Sequence, residues 1–431
     1  MHRSGNDVSF WSAVAIGIGS MVGAGIFALL GEAGAIASSA VYISFVIGGV
    51  IALLSGYSMG RLGARFPAAG GVVEYLVQGY GVGRFSGAMS VMMYISALVA
   101  VSLVARTFGS YAYALFPSGM PKFLIEVFSA AIILVFMAIN LEGARSMARM
   151  ENLVVLIKMA VLVAFAVVGL SYIEPDRLSP GHYPPMSAIL YSVAVTFFAY
   201  EGFRVVTNAA EDMQDPARTL PRAILTATLI VMVVYVGIAI TVFGNLPPEQ
   251  VIAAKDFALA EAARPVFGTL GFTVVAITAL FATASAINAS LYAVTNVTYQ
   301  LAKLGELPSA FAKPIAHSRE GLVISSGLII FLAVLFDLTS IAVIGALSML
   351  IIHMAVHIGH LRILDKTGAK PSLIVLSIMA NGVAIVLGGY HLGLSEPMLL
   401  LWIVAFFGLA LITELVLHGL TGRKIKLRIK S

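Results

Sequence analysis

Apolar runs of about twenty residues or more, cut by proline, glycine and charge, recur along the whole chain and leave little room for a water-soluble fold. Crossing a hydrocarbon layer of roughly 30 Å takes about 20 residues of helix at about 1.5 Å each, so about a dozen crossings with short connections use up such a length. The chain has 431 residues, 60% of them hydrophobic and 11% charged, with a mean hydropathy of +0.98. That is far from the make-up of a soluble domain. The expected fold is therefore an all-α integral membrane protein of about 12 transmembrane helices. They fall at roughly 9–36, 41–64, 85–115, 122–141, 149–173, 186–212, 219–243, 264–300, 321–338, 339–363, 372–392 and 396–418. Arg3 followed by an apolar run from Phe10, longer than the core of a signal peptide, reads as the start of the first membrane helix. Without cysteine there are no disulfides and no thiolate metal sites.

Most of the 26 Lys and Arg residues fall in connections on one side, among them Arg61, Arg65, Arg84, Arg145, Arg149, Arg362, Lys366 and Lys370. The other side holds Lys122, Arg177, Lys255 and Arg264, while Arg106 and Lys158 lie within apolar segments. This bias predicts a multi-pass protein of the cell (cytoplasmic) membrane with both termini in the cytoplasm and an even number of spans. The basic tail 419–431 is placed to touch anionic membrane lipids. No basic patch interleaved with aromatics stands on a soluble domain, which argues against nucleic acid as a partner.

Within the first span, the run from Gly17 to Phe27 packs four glycines into the middle of the membrane. Small residues four apart let helices approach closely, and glycine also weakens a helix by about 1 kcal/mol relative to alanine. The sixth span is interrupted too: Phe197-Phe198-Ala199-Tyr200-Glu201-Gly202-Phe203 sets a carboxylate and a glycine inside an apolar run. Spans one and six each open a block of five, and paired breaks at matching positions point to inverted repeats around a midplane site. The blocks are 1–173 and 186–363, followed by two additional helices over 372–418. Amides at a half-helix N-terminus favour an anion and unwound carbonyls favour a cation, so together they suit a zwitterion.

These breaks, the loop from Phe66 to Tyr75, the stretch Asn208 to Asp212 continuing to Ile224, Gly244 to Pro247, and Leu301 to Pro308 resemble the amino acid–polyamine–organocation (APC) superfamily of transporters. Similarity is greatest to its proton-coupled, sodium-independent members. The resemblance implies a LeuT-type 5+5 inverted repeat with helices 1 and 6 unwound, working as a proton-coupled amino acid symporter by alternating access. The amides of Gly23, Ala24 and Gly25, beside Ser20, would receive the substrate carboxylate. Carbonyls near Met21, Phe198 and Glu201, with Ala199 and Gly202 in the same break, would receive its amino group. It also implies that the amine of Lys158 occupies the place of a sodium ion between Gly19 and Ser285. A lone charge at that depth is costly, so a neutral amine becomes accessible and proton coupling falls to Lys158.

Other ionisable residues leave alternatives open. Glu201 serves a cationic side chain, the coupling proton, or only a water-filled vestibule. Arg106 snorkels or pairs. His353, His357 and His360 share a helical face, a spacing suited to metal or proton relay, but no carboxylate shares that face and satisfied interface histidines are the simpler reading. Glu74 and Glu211 are read as loop salt bridges. No HExxH, nucleophile elbow or cysteine supports an enzyme, and no repeated filter supports a channel. The expected partners are an amino acid, protons and lipid, with no cofactor and no metal; an amino acid or polyamine exchanger without proton coupling is the alternative.

Overall fold

The computed structural model describes residues 8–68, 70–117, 119–142, 147–304 and 307–421. Arg3, Arg145 and the basic tail from Arg423 to Lys430 lie outside them. The chain is helical at all twelve expected runs. The first is divided into α1 (Phe10–Met21) and α2 (Ala24–Ala37), and α3 (Val41–Arg65) follows after a 3-10 turn at Ser38–Ala40. A short helix, α4 (Val72–Tyr80), leads to α5 (Arg84–Ala114), α6 (Leu124–Glu142) and α7 (Met147–Gly169). The sixth run begins as α8 (Met186–Ala199) and continues as a 3-10 helix, Glu201–Asp212. Beyond it come α9 (Pro216–Asn245), the short α10 (Pro248–Ala253) and α11 (Ala258–Glu261), and α12 (Arg264–Leu304). The chain closes with α13 (Glu320–Leu335), α14 (Leu338–Leu361), the short α15 (Leu364–Thr367), α16 (Pro371–Ser395) and α17 (Pro397–Thr421). A two-residue antiparallel hairpin, Pro314–Ile315 with Ser318–Arg319, is the β-structure among the described residues.

Ten of these segments are long and apolar enough to cross a membrane, and Phe10–Met21 and Glu320–Leu335 are apolar but shorter. Ends are set by local chemistry: Ser9 caps α1 by accepting from the Ser12 amide at 3.2 Å, and Asp337 caps α14 by accepting from the Ser340 amide at 2.9 Å. Asp215 caps α9 with Pro216 at its first position.

Small residues govern how close the helices come. Along α3, Ser44, Gly48, Ala52, Gly56 and Gly60 repeat every fourth position, the stripe that lets membrane helices meet backbone to backbone. A Cβ at Gly48 would lie 2.8 Å from the Phe197 amide of α8, and one at Gly60 would lie 2.9 Å from Pro221 Cα of α9. The Thr196 hydroxyl donates to the Ser44 carbonyl at 2.8 Å and Ser192 donates to Ser44 Oγ at 2.6 Å, so the polar groups of this seam satisfy one another. α3 lies along α8 and α9, α5 along α12, α1 along α9 and the 3-10 helix, and α2 along α8. At the periphery α16 and α17 point apolar side chains outward, as with Val386 and Leu394, where lipid is their natural solvent.

Candidate functional site

α1 stops at Met21, where the Val22 amide closes on the Ile18 carbonyl at 2.9 Å. Gly23 then leaves helical geometry, with φ −109° and ψ −102°, before α2 begins without a side-chain cap. The amides of the first turn of α2 are therefore not capped by a side chain at the N-cap. In the sixth run α8 ends at Ala199, and the Tyr200 amide bonds the Phe197 carbonyl at 2.9 Å as the chain tightens into the 3-10 helix. A 3-10 segment inside a longer helical run commonly marks a hinge or strain.

The two breaks are held against each other. A Cβ at Gly202 would collide with the backbone of Met21 and Ser20, 2.5 Å from the Ser20 carbonyl carbon, and one at Gly25 would lie 2.6 Å from the Ala199 carbonyl oxygen. Only glycine permits both approaches. Tyr235 of α9 bridges the site by donating its hydroxyl to the Met21 carbonyl at 2.8 Å. That carbonyl keeps a second lone pair.

Between the breaks lies a cavity of ≈ 110 Å³. Ser20, Met21, Gly25, Phe198, Ala199, Glu201 and Gly202 line it, so the structure brings most of the sequence-derived candidates to one place. Gly23 sits in the break itself, outside that lining, and Ala24 is the first residue of α2. The remaining wall is largely apolar and includes Leu29, Ala100, Leu103 and Val104, with Ser290 of α12 as a hydroxyl. The α5 residues were not identifiable beforehand, because small and branched apolar side chains on a membrane helix look the same whether they face lipid or a cavity.

Lys158 stands apart from this cavity. It is buried in α7, and its Nζ donates to the Gly19 carbonyl at 2.8 Å. A Cβ at Gly19 would lie 2.8 Å from a Val155 methyl, so glycine keeps α1 and α7 close enough for this bond. Ser285 is partly buried in α12.

Glu201 is buried and has two basic neighbours. Its Oε1 pairs with Arg204 Nε at 2.5 Å, and its Oε2 lies 3.1 Å from His353 Nε2 without hydrogen-bond alignment. The expectation that the α14 histidines have no carboxylate beside them holds for α14 alone; the carboxylate arrives from the sixth run. Arg204 carried a sequence signal, since residues three apart meet on a helical face. The contact with His353 carried none, because it joins distant helices.

The segment 248–263 packs on α2, and in it Lys255 Nζ donates to Thr339 Oγ1 at 2.5 Å and lies 3.7 Å from Glu32 Oε1. Arg106 pairs, meeting Glu126 at 2.7 Å. Glu74 Oε1 accepts from Gln78 Nε2 at 2.7 Å. Among the described residues no cluster of three or more His, Cys, Asp or Glu could hold a metal ion.

A family model described as amino acid permease matches residues 8–419. The chain is similar to an uncharacterised protein of Methanocaldococcus jannaschii, 35% identical over 98% of both chains. It is similar to the inner membrane transport protein YbaT of Escherichia coli, 33% identical over 97% of this chain and 98% of that one. It is also similar to the methylthioribose transporter of Bacillus subtilis, 28% identical over 71% of this chain and 69% of the other.

Proposed function

The chain belongs to the amino acid permease family, and we propose that it is a proton-coupled, sodium-independent symporter of neutral amino acids that works by alternating access. The observation that carries this reading is the pair of helix breaks at Gly23 and Tyr200, held together by glycine contacts around one cavity. The uncapped start of α2 suits a carboxylate, and the carbonyls of Met21 and the α8 end suit an ammonium. The apolar wall of Leu29, Leu103, Val104 and Phe198 suits an apolar side chain. Arg204 and His353 already face Glu201, so its carboxylate is not held open for a cationic side chain.

Helices that pair first with first, second with second and third with third across the two blocks are what a pseudo-two-fold relation would bring together, which supports a 5+5 inverted repeat with twelve spans. The basic connections support a cell-membrane protein with cytoplasmic termini. Lys158 is the proposed coupling site, with Ser285 as its proposed partner on α12: protonated, it ties α7 to α1 through Gly19. A charged hydrogen bond of this kind contributes about 1.5–3 kcal/mol, and losing the charge weakens it. The two protonation states thus favour different arrangements of the same helices.

Uptake of each of the twenty amino acids into proteoliposomes, with and without an inward proton gradient and in sodium-free buffer, tests this reading. Gradient-driven accumulation of neutral amino acids is expected. Exchange that ignores the gradient would identify an exchanger instead, and a sodium requirement would remove Lys158 from the coupling role.

A further inference from the structure

Three histidines on one face of α14, His353, His357 and His360, are fully buried. Burying an imidazole in apolar surroundings is costly unless its nitrogens are partnered. Two of the three are. His357 Nδ1 lies 2.9 Å from Ser58 Oγ and its Nε2 lies 3.1 Å from Ser55 Oγ. His360 Nδ1 lies 2.8 Å from the same Ser58 Oγ, and its Nε2 lies 2.8 Å from Thr367 Oγ1.

Ser58 owns one O–H, so it donates to one imidazole and accepts from the other. Asn381 biases the direction: its Nδ2 donates to the Ser377 carbonyl at 2.8 Å and to Ser55 Oγ at 3.2 Å, and with one Ser55 lone pair so occupied we assign the Ser55 hydroxyl as donor to His357 Nε2. His357 Nδ1–H then donates to Ser58, Ser58 donates to His360 Nδ1, and His360 Nε2–H donates to Thr367. Every donor points the same way, toward the basic connection that carries Arg362 and Lys366. A proton entering at His357 Nε2 and another leaving from His360 Nε2 invert each tautomer in turn, and a flip of each ring with rotation of the hydroxyls restores them.

The other end of the row reaches the cavity. His353 stands edge-on between Phe197 and Phe203, with ring centroids 5.4 and 5.6 Å away. Its Nε2 faces Glu201 Oε2, the oxygen that Arg204 does not hold, and neither atom has an aligned partner among the described residues. The His353 and His357 ring centroids are 6.1 Å apart, a gap that one water molecule or a ring rotation spans. The charged groups facing the row from neighbouring elements are Arg204 on the 3-10 helix and Arg61 on α3, whose Nη2 donates to the Thr367 carbonyl at 2.6 Å.

We propose that Glu201, His353, His357 and His360, joined through Ser55 and Ser58, form a proton file between the substrate cavity and the basic end of α14. The file rests on the proton-coupled reading and gives its proton an exit separate from Lys158. In each passage Glu201 Oε2 takes a proton from the cavity and gives it to His353, His353 passes one across the gap to Ser55 as Ser55 protonates His357 Nε2, His357 Nδ1–H passes to Ser58 as Ser58 protonates His360 Nδ1, and His360 Nε2–H leaves by way of Thr367 to water.

The test uses full-length protein in sodium-free liposomes containing a pH-sensitive dye, driven by an equimolar mixture of the neutral amino acids. His357→Gln and His360→Gln retain a donor and an acceptor but cannot carry a proton at ordinary pH. Each is expected to lower substrate-driven proton entry about tenfold or more, while counterflow of the same labelled mixture stays within about twofold of the parent. Proton entry within about twofold of the parent in both variants would overturn the file and leave the symport reading standing. Substrate movement without proton entry in the parent would overturn both. Should the variants fail to fold, nitrogen-15 histidine spectra of the parent decide: the Nδ1–H and Nε2–H signals of His357 and His360 are expected to interchange when substrate is added between pH 5 and 8, and unchanged signals would overturn the file.

Discussion

Lys158 and Glu201 are both buried charges, Lys158 bonded to the end of α1 and Glu201 at the end of α8, yet they are held in opposite ways. The Lys158 ammonium donates to a backbone carbonyl, that of Gly19. The Glu201 carboxylate is answered by side chains, an ion pair to Arg204 and an approach to His353. Arg204 holds one oxygen of Glu201, and the other, Oε2, faces His353. Under the proposed function Lys158 is the switch, and Glu201 both anchors its run through Arg204 and opens the histidine row through Oε2.

The largest effect should come from disturbing what both charges share, the contact between the two breaks. Gly202→Val is expected to abolish substrate-induced thermal stabilisation and uptake together, because its Cβ has no room beside Met21 and Ser20. Normal uptake by this variant would place the site elsewhere. Next, Lys158→Ala should lower gradient-driven accumulation about tenfold or more while counterflow continues, and Lys158→Arg should also impair coupling, since a guanidinium keeps its proton across the working range.

Glu201→Gln should lower stability by about 3 kcal/mol, because Arg204 keeps an unanswered charge, and should lower proton entry as the histidine variants do; the double change with Arg204→Gln should recover much of the stability in a melting experiment but not the proton entry. Unchanged proton entry in Glu201→Gln would take Glu201 out of the file and leave it an anchor alone. The smallest effect belongs to Glu174, in the connection between α7 and α8, where a hydrogen bond from Arg177 holds its carboxyl below the ordinary value of 4.5. A depressed carboxyl adds stability above that ordinary value and loses it as pH falls through its folded value, so no change between pH 5 and 8 should trace to this loop. Glu174→Gln should leave the pH profile of uptake unaltered.

How much of this could be read beforehand follows from the range of each interaction. Four glycines between Gly17 and Gly25 made the first break legible, because glycine weakens a helix wherever it stands. The second was legible as an interruption at Glu201 and Gly202, but not as a 3-10 helix, since residues three apart share a face in either helix type. Burial of Lys158 followed from its place in an apolar run, whereas its bond to Gly19 rested on family resemblance. The meeting of Glu201 with His353 depends on how α14 crosses the sixth run, a fact of tertiary packing that no local pattern encodes. The same holds for Ser58, whose place between two histidines is fixed by how α3 crosses α14.

The most direct test of the account compares the parent protein with Lys158→Ala in sodium-free liposomes, reading labelled uptake and internal pH together while the neutral amino acids are supplied. Parent protein should accumulate at least one of them with simultaneous proton entry, and Lys158→Ala should equilibrate it without proton entry. Full proton-driven accumulation by Lys158→Ala, or a strict sodium requirement in the parent, would contradict the account.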